Sequence, residues 1–183
     1  PACWYKSWYW NAKHVVVGEG ITSLPTNAFY GSSIETVELP STLTAIGDWA
    51  FGECSALQSV KTAGLENIKA TVALKGVTLG NFSFGLAQIS SVYLEDCGNA
   101  ENGYVFMECD GLSTATLKNC HFTQILFDYC QELTDVVVIG GNISNVFAWC
   151  DTIQTATITG CESIGSSAFD SCKGIKELTI TGC

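Results

Sequence analysis

The chain has 183 residues, 47% of them hydrophobic and only 14% charged, with a formal net charge of −10. That length is enough to bury a substantial core within one domain. Eighteen acidic residues against eight basic ones, with no basic cluster, exclude sequence-independent nucleic-acid binding and make an anionic membrane surface a poor partner. No apolar run reaches the roughly 18 residues of a membrane span, so no membrane insertion is expected in this segment. The sequence opens Pro1-Ala2-Cys3, as a processed product or a fragment would.

Residues 1–14 read as a segment of their own. On an extended strand Trp4, Lys6, Trp8 and Trp10 share one side, while Tyr5, Ser7 and Tyr9 share the other. Two readings stand side by side. The segment caps the apolar end of the rest of the chain, or its tryptophans form a platform for a sugar or a partner.

From Val15 to Cys183 the chain repeats. Phe51, Phe106, Phe127, Phe147 and Phe169 are each followed three residues later by a cysteine: Cys54, Cys109, Cys130, Cys150 and Cys172. Leu or Ile follows at plus six. An apolar pair then closes the unit, as in Ala115/Leu117, Val136/Val138, Ala156/Ile158 and Leu178/Ile180, with Val60/Thr62 an imperfect member. Phe29 and Phe84 start two more copies that lack the cysteine, with the pairs Val37/Leu39 and Val92/Leu94. Val15/Val17 and Val72/Leu74 add two rungs. In each pair the residues alternate in and out, which is the period of a strand.

A strand that returns about every 22 residues predicts a repeat solenoid. The expected form is a right-handed coil of about eight to nine rungs, with one parallel β-sheet and irregular or short 3-10 segments opposite. One step, over "TAGLENIKATVA", is too short for a full coil, so 62–80 is expected to be irregular.

The stretch "LTAIGDWAFGECSALQSV" resembles the BspA-type leucine-rich repeat, through Leu43, Ile46, Gly47, Ala50, Phe51, Cys54, Leu57 and Val60. "SIGSSAFDSCKGIKEL" matches nearly as well, and the resemblance covers about residues 15 to 183. The middle copies diverge, and "NAENGYVF" lacks the expected Ile-Gly. The resemblance implies a leucine-rich-repeat-like fold. It also implies an extracellular, often surface-anchored protein acting as an adhesin or ligand-binding module.

The cysteines fall into two columns, one before the strand and one after it at Cys97, Cys120, Cys161 and Cys183. Buried thiols are one reading. Bridges between adjacent coils, such as Cys109–Cys130 or Cys150–Cys172, are the other, since parallel strands lie about 4.8 Å apart. No compact C-x₂-C or H-x₃-H cluster suggests a metal. Tyr129 and Trp149 share the plus-two position of successive coils, and Tyr93 stands on the outward face of a strand. These three join Trp4, Trp8 and Trp10 as candidate ligand or subunit contacts. The outward face is rich in threonine, a good exposed strand former. Asn81 and Asn142 lie in glycosylation sequons.

No catalytic motif is present, and His14 and His121 are far apart in the repeat order. No cofactor or metal is expected. The reading is a non-enzymatic extracellular or cell-surface binding module with a protein or glycan ligand. The alternative is a structural subunit of an extracellular filament or matrix. There the Trp4, Trp8 and Trp10 strand would meet the open last coil, "ELTITGC", of a neighbour end to end.

Overall fold

The computed structural model describes residues 11–99 and 103–183, within which sixteen strands and no helix form. In chain order these are β1 (His14–Val16), β2 (Ser23–Leu24), β3 (Thr36–Leu39), β4 (Ala45–Ile46), β5 (Ser59–Thr62), β6 (Val72–Lys75), β7 (Thr78–Leu79) and β8 (Ser91–Glu95). They continue as β9 (Gly98–Asn99), β10 (Thr114–Lys118), β11 (His121–Phe122), β12 (Asp135–Ile139), β13 (Asn142–Ile143), β14 (Thr155–Thr159), β15 (Ser163–Ile164) and β16 (Glu177–Thr181).

Period-two alternation builds the main sheet. Its nine parallel strands run in the order β1-β3-β5-β6-β8-β10-β12-β14-β16. The nine rungs expected from the apolar pairs are these strands, in the expected register. Val15, Val37, Val60, Val72, Val92, Ala115, Val136, Ala156 and Leu178 align in one row across the sheet. Inward residues such as Val92, Leu94, Leu117 and Val138 are buried. Leu178 and Ile180, in register with Ala156 and Ile158, stay half-exposed because β16 is the sheet's edge.

The structure differs from the expectation of a single sheet. The two-residue strands β2, β4, β7, β9, β11, β13 and β15 form a second, seven-stranded parallel sheet. Each is a short step that follows a main strand, and Leu24, Ile46, Leu79, Phe122 and Ile143 from it are buried. Two residues give no readable in-out alternation, so the apolar residue that recurs five positions before the Phe, at Leu24, Ile46, Leu79, Phe122 and Ile164, did not read as a strand. In place of 3-10 segments, single turns with i→i+3 bonds surround each stacked Phe. Around Phe51 these are Ala50 N to Gly47 O, Gly52 N to Trp49 O and Cys54 N to Phe51 O. The same turns bond to the next coil, as in Phe51 N to Ser83 O at 2.7 Å.

The short step is a half-coil. β5 and β6 pair directly, Val60 with Val72, without passing through a Phe turn or the second sheet. The ammonium of Lys61 closes the intervening loop by donating to Glu66 O (3.1 Å) and Ile68 O (2.6 Å). The Phe column skips this half-coil: Phe51 stacks on Phe84 at 4.9 Å.

Seven phenylalanines form one continuous stack, Phe29, Phe51, Phe84, Phe106, Phe127, Phe147 and Phe169, at 4.9 to 5.4 Å between ring centroids. The first six are buried. Phe169, at the last turn, is partly buried.

The cysteine columns follow from this stack. Each plus-three thiol donates to the main-chain carbonyl of the Phe one coil earlier. Cys54 reaches Phe29 (3.2 Å), Cys109 reaches Phe84 (3.1 Å), and Cys130 reaches Phe106 (3.0 Å). Cys150 reaches Phe127 (3.4 Å) and Cys172 reaches Phe147 (2.9 Å). A small apolar side chain with a weak donor thus fills the turn and satisfies an enclosed carbonyl. The nine described cysteines are all free thiols, with Cys172 half-buried and Cys183 exposed.

Burial pushes the Cys54, Cys109 and Cys150 thiols up. It takes Cys161 and Cys172 to about 11. The hydrogen bond with Cys97, and then burial, raise Cys120. A thiol raised by folding keeps its proton in the native state. Its contribution to stability is whole below the ordinary value of 9.0 and is lost as pH rises through about 11 for Cys172. Stability is therefore expected to fall over that alkaline window. Native alkylation near pH 8 is expected to modify Cys183 first among the nine. Denaturation without reductant should expose the rest as free thiols to mass spectrometry. A bridged Cys109–Cys130 or Cys150–Cys172 peptide would contradict this.

Candidate functional site

The turn around each stacked Phe takes a left-handed backbone two residues after the Phe and, in the first four turns, also two residues before it. The first set is Asn27 (φ 58), Trp49 (φ 56), Phe82 (φ 52) and Tyr104 (φ 56). The second holds Glu53, Leu86, Glu108, Tyr129 (φ 57), Trp149 (φ 67) and Ser171, with Gly31 (φ 63) in the first full coil. For a bulky L-residue this conformation costs on the order of 1 kcal/mol or more.

In the first set the cost is offset by packing. Trp49 stacks on Phe82 at 4.7 Å, and Phe82 stacks on Tyr104 at 5.6 Å. Tyr30 meets the edge of Trp49 at 5.8 Å. This second aromatic ladder was not anticipated from the sequence, although an aromatic two residues before the Phe in three coils is its signal. In the second set Tyr129 and Trp149 are each 61% exposed.

These two rings line a cleft of about 660 Å³ together with Tyr104, Ile125, Asp128 and Asp151. Among the described residues no lysine or arginine lines it. Burial raises the pKa of the Asp128 carboxyl, which the Tyr129 backbone N–H partly offsets. Gln131, Asp151 and Thr152 also border an adjoining polar depression that reaches Glu132, Gln154 and Lys176. There Lys176 Nζ donates to Gln154 Oε1 at 3.0 Å.

The other candidates lie elsewhere. Tyr93 stands on the outer face of the main sheet, where its hydroxyl donates to Glu95 Oε2 at 2.7 Å. Lys75 (2.9 Å) and Lys118 (3.3 Å) hold the other oxygen of Glu95. The bonds from Tyr93 and Lys75 take the Glu95 carboxyl down to about 2, while burial and then Glu95 push Tyr93 up to about 12. Tyr93 is thus committed within a charged cluster and is not brought together with Tyr129 and Trp149. Trp4, Trp8 and Trp10 lie outside the described residues. Of the sequon residues, Asn81 Oδ1 and Ser83 Oγ are enclosed without a hydrogen-bond partner, and Asn142 Oδ1 accepts from Ser163 Oγ at 3.2 Å. Among the described residues no group of three or more His, Cys, Asp or Glu side chains is placed to hold a metal ion. Among them, too, no helix is long and apolar enough to cross a membrane.

A parallel β-solenoid with a long strand in every coil, a phenylalanine spine and a wall of turns belongs to the repeat scaffolds. The chain belongs to the BspA type leucine rich repeat family, whose pattern it matches in six copies over residues 7–99 and 141–182. The unmatched stretch between them includes the Phe106 and Phe127 turns, whose rings still continue the stack. Among solved structures, a leucine-rich repeat protein from Bacteroides ovatus is similar at 20% identity and a TM-score of 0.55, over 89% of this chain and 47% of that one. A leucine-rich repeat protein from Eubacterium ventriosum is similar at 13% identity and a TM-score of 0.47, over 91% of this chain and 54% of that one. A leucine rich cell surface protein from Faecalibacterium prausnitzii is similar at 19% identity and a TM-score of 0.45, over 92% and 59%. The chain thus spans about half the length of these solved proteins. No curated protein matches it significantly in sequence.

Proposed function

We propose that this chain is a non-enzymatic binding module of an extracellular or cell-surface protein, and that it recognises a protein or glycan ligand at the Tyr129–Trp149 edge. The observation that carries this reading is the pairing of exposure with an unfavourable backbone. Both aromatics occupy left-handed positions that glycine fills in another coil, and both leave most of their surface in solvent. Nothing in the fold requires an aromatic there. Exposed, rigid aromatic faces beside a cleft suit ligand contact, where Trp and Tyr dominate binding energy.

The double variant Tyr129→Gly/Trp149→Gly is expected to keep its unfolding free energy within about 1 kcal/mol of the parent, because relief of backbone strain balances lost contacts and added chain entropy. Its binding is expected to fall sharply. A panel of purified secreted proteins and oligosaccharides, screened against parent and variant, tests this. A ligand held equally by both, or no ligand held by the parent, overturns the proposal.

A further inference from the structure

The character of the cleft narrows its occupant. We propose that it seats a cationic group, a lysine or arginine side chain on an exposed segment of a partner protein, against Trp149 and Tyr129 and beside Asp128 and Asp151. This rests on the reading of the Tyr129–Trp149 edge as the contact surface, and it adds the chemistry of what is contacted.

Three observations converge. The rings of Tyr104, Tyr129 and Trp149 line the cleft, and the negative face of an aromatic ring attracts a cation. Asp128 and Asp151 line it too, with no lysine or arginine lining it among the described residues. The Lys176 ammonium, at the rim of the adjoining depression, is given to Gln154. The negative charge of the cleft therefore has no cation among its lining residues.

Burial already disfavours the charged form of Asp128, and an incoming ammonium or guanidinium would reverse that penalty. A net charge of −10 over the whole chain would also draw basic segments toward it from a distance. Gln131, at the junction of the two depressions, offers an amide to the main chain of a bound peptide, and Thr152, whose hydroxyl donates to Leu133 O at 2.9 Å, offers only an acceptor oxygen. A neutral sugar could stack on the same rings but would leave both carboxylates without a countercharge. A polyanionic glycan would be repelled.

The test is a calorimetric titration of the folded chain with a peptide of alternating arginine and serine. The same peptide with citrulline for arginine removes only the charge, and maltohexaose serves as a neutral glycan. The arginine peptide is expected to bind about tenfold or more tighter than the citrulline peptide. Trp149→Gly, and separately Asp128→Asn/Asp151→Asn, should each weaken it about tenfold. Glu19→Gln/Glu38→Gln, which removes the same charge in the first coils, with Glu38 on β3 five strands away from β12 in the main sheet, should leave it within about twofold. Circular dichroism of each variant checks folding.

Equal weakening by both double variants means general charge attraction and overturns the proposal, as does the absence of heat from the arginine peptide. Citrulline peptide or maltohexaose that binds as tightly as the arginine peptide, and is still lost with Trp149→Gly, sinks the cation while sparing the contact surface. Binding of the arginine peptide that ignores Trp149→Gly removes the contact surface as well.

Discussion

Replacing Phe127 by alanine is expected to lower the unfolding free energy by about 3–5 kcal/mol, the range for deleting a fully buried phenylalanine. Phe127 is wholly enclosed, between Phe106 and Phe147 at 5.4 Å on each side and nearly parallel to both. Truncation removes two ring contacts at once and leaves a cavity the rigid turns cannot close. The carbonyl of Phe127, which accepts from Cys150, stays in place, so the loss is one of packing. Because each coil touches only its neighbours, a break in the middle of the spine weakens the coupling between the two halves. Denaturant unfolding should show a lower midpoint and a broadened or split transition. A variant that unfolds like the parent would refute the continuous spine. The contrast with Trp149→Gly is the useful part: both remove a large aromatic, and only the buried one is expected to destabilise the fold.

What the sequence shows best is whatever repeats with a chemical reason. The nine rungs of the main sheet were legible because an apolar pair separated by one residue recurs about every 22 residues, mostly with polar residues between, and only one register buries the pairs. The Phe and Cys columns were legible because their roles recur coil by coil. Other features were not. The second sheet rests on single apolar residues such as Ile46 and Ile143, which recur once per coil but show no in-out alternation. The ladder of Trp49, Phe82 and Tyr104 shows in the sequence only as an aromatic two residues before the Phe in three coils, and that the rings meet depends on where a left-handed turn points its side chains. Tyr93 was legible as an outward strand residue, but its bond to Glu95 needed the neighbouring coils to bring Lys75 and Lys118 to the same carboxylate. Tyr129 and Trp149 could be paired by position, whereas their exposure and the carboxylates beside them emerged only in three dimensions.

The Ile-Gly step carries the second large effect. Gly47 is expected to tolerate no side chain, and Gly47→Ala should cost about 1–3 kcal/mol through overpacking. A β-carbon there would lie 2.6 Å from Thr26 N, 2.7 Å from Pro25 C and 2.9 Å from Leu24 O. All three are backbone atoms of the preceding coil, so no rotamer change relieves the clash. The approach is enforced by the hydrogen bond from Gly47 N to Leu24 O at 2.9 Å. The same arrangement recurs at Gly80, bonded to Ile46 O at 2.8 Å, and at Gly165, bonded to Ile143 O at 2.7 Å. Gly thus stands after the short strand because consecutive coils press together closely here, and a methyl group would separate them. Gly18→Ala is the matched control, since nothing lies within 4 Å of a β-carbon added there. Its stability is expected to be unchanged or to rise by up to about 1 kcal/mol, through the lower entropy of the unfolded chain. Denaturant melts of the two variants beside the parent decide the matter. If Gly47→Ala unfolds where Gly18→Ala does, the coils can part without loss, and close stacking at the Ile-Gly step is not what holds their spacing.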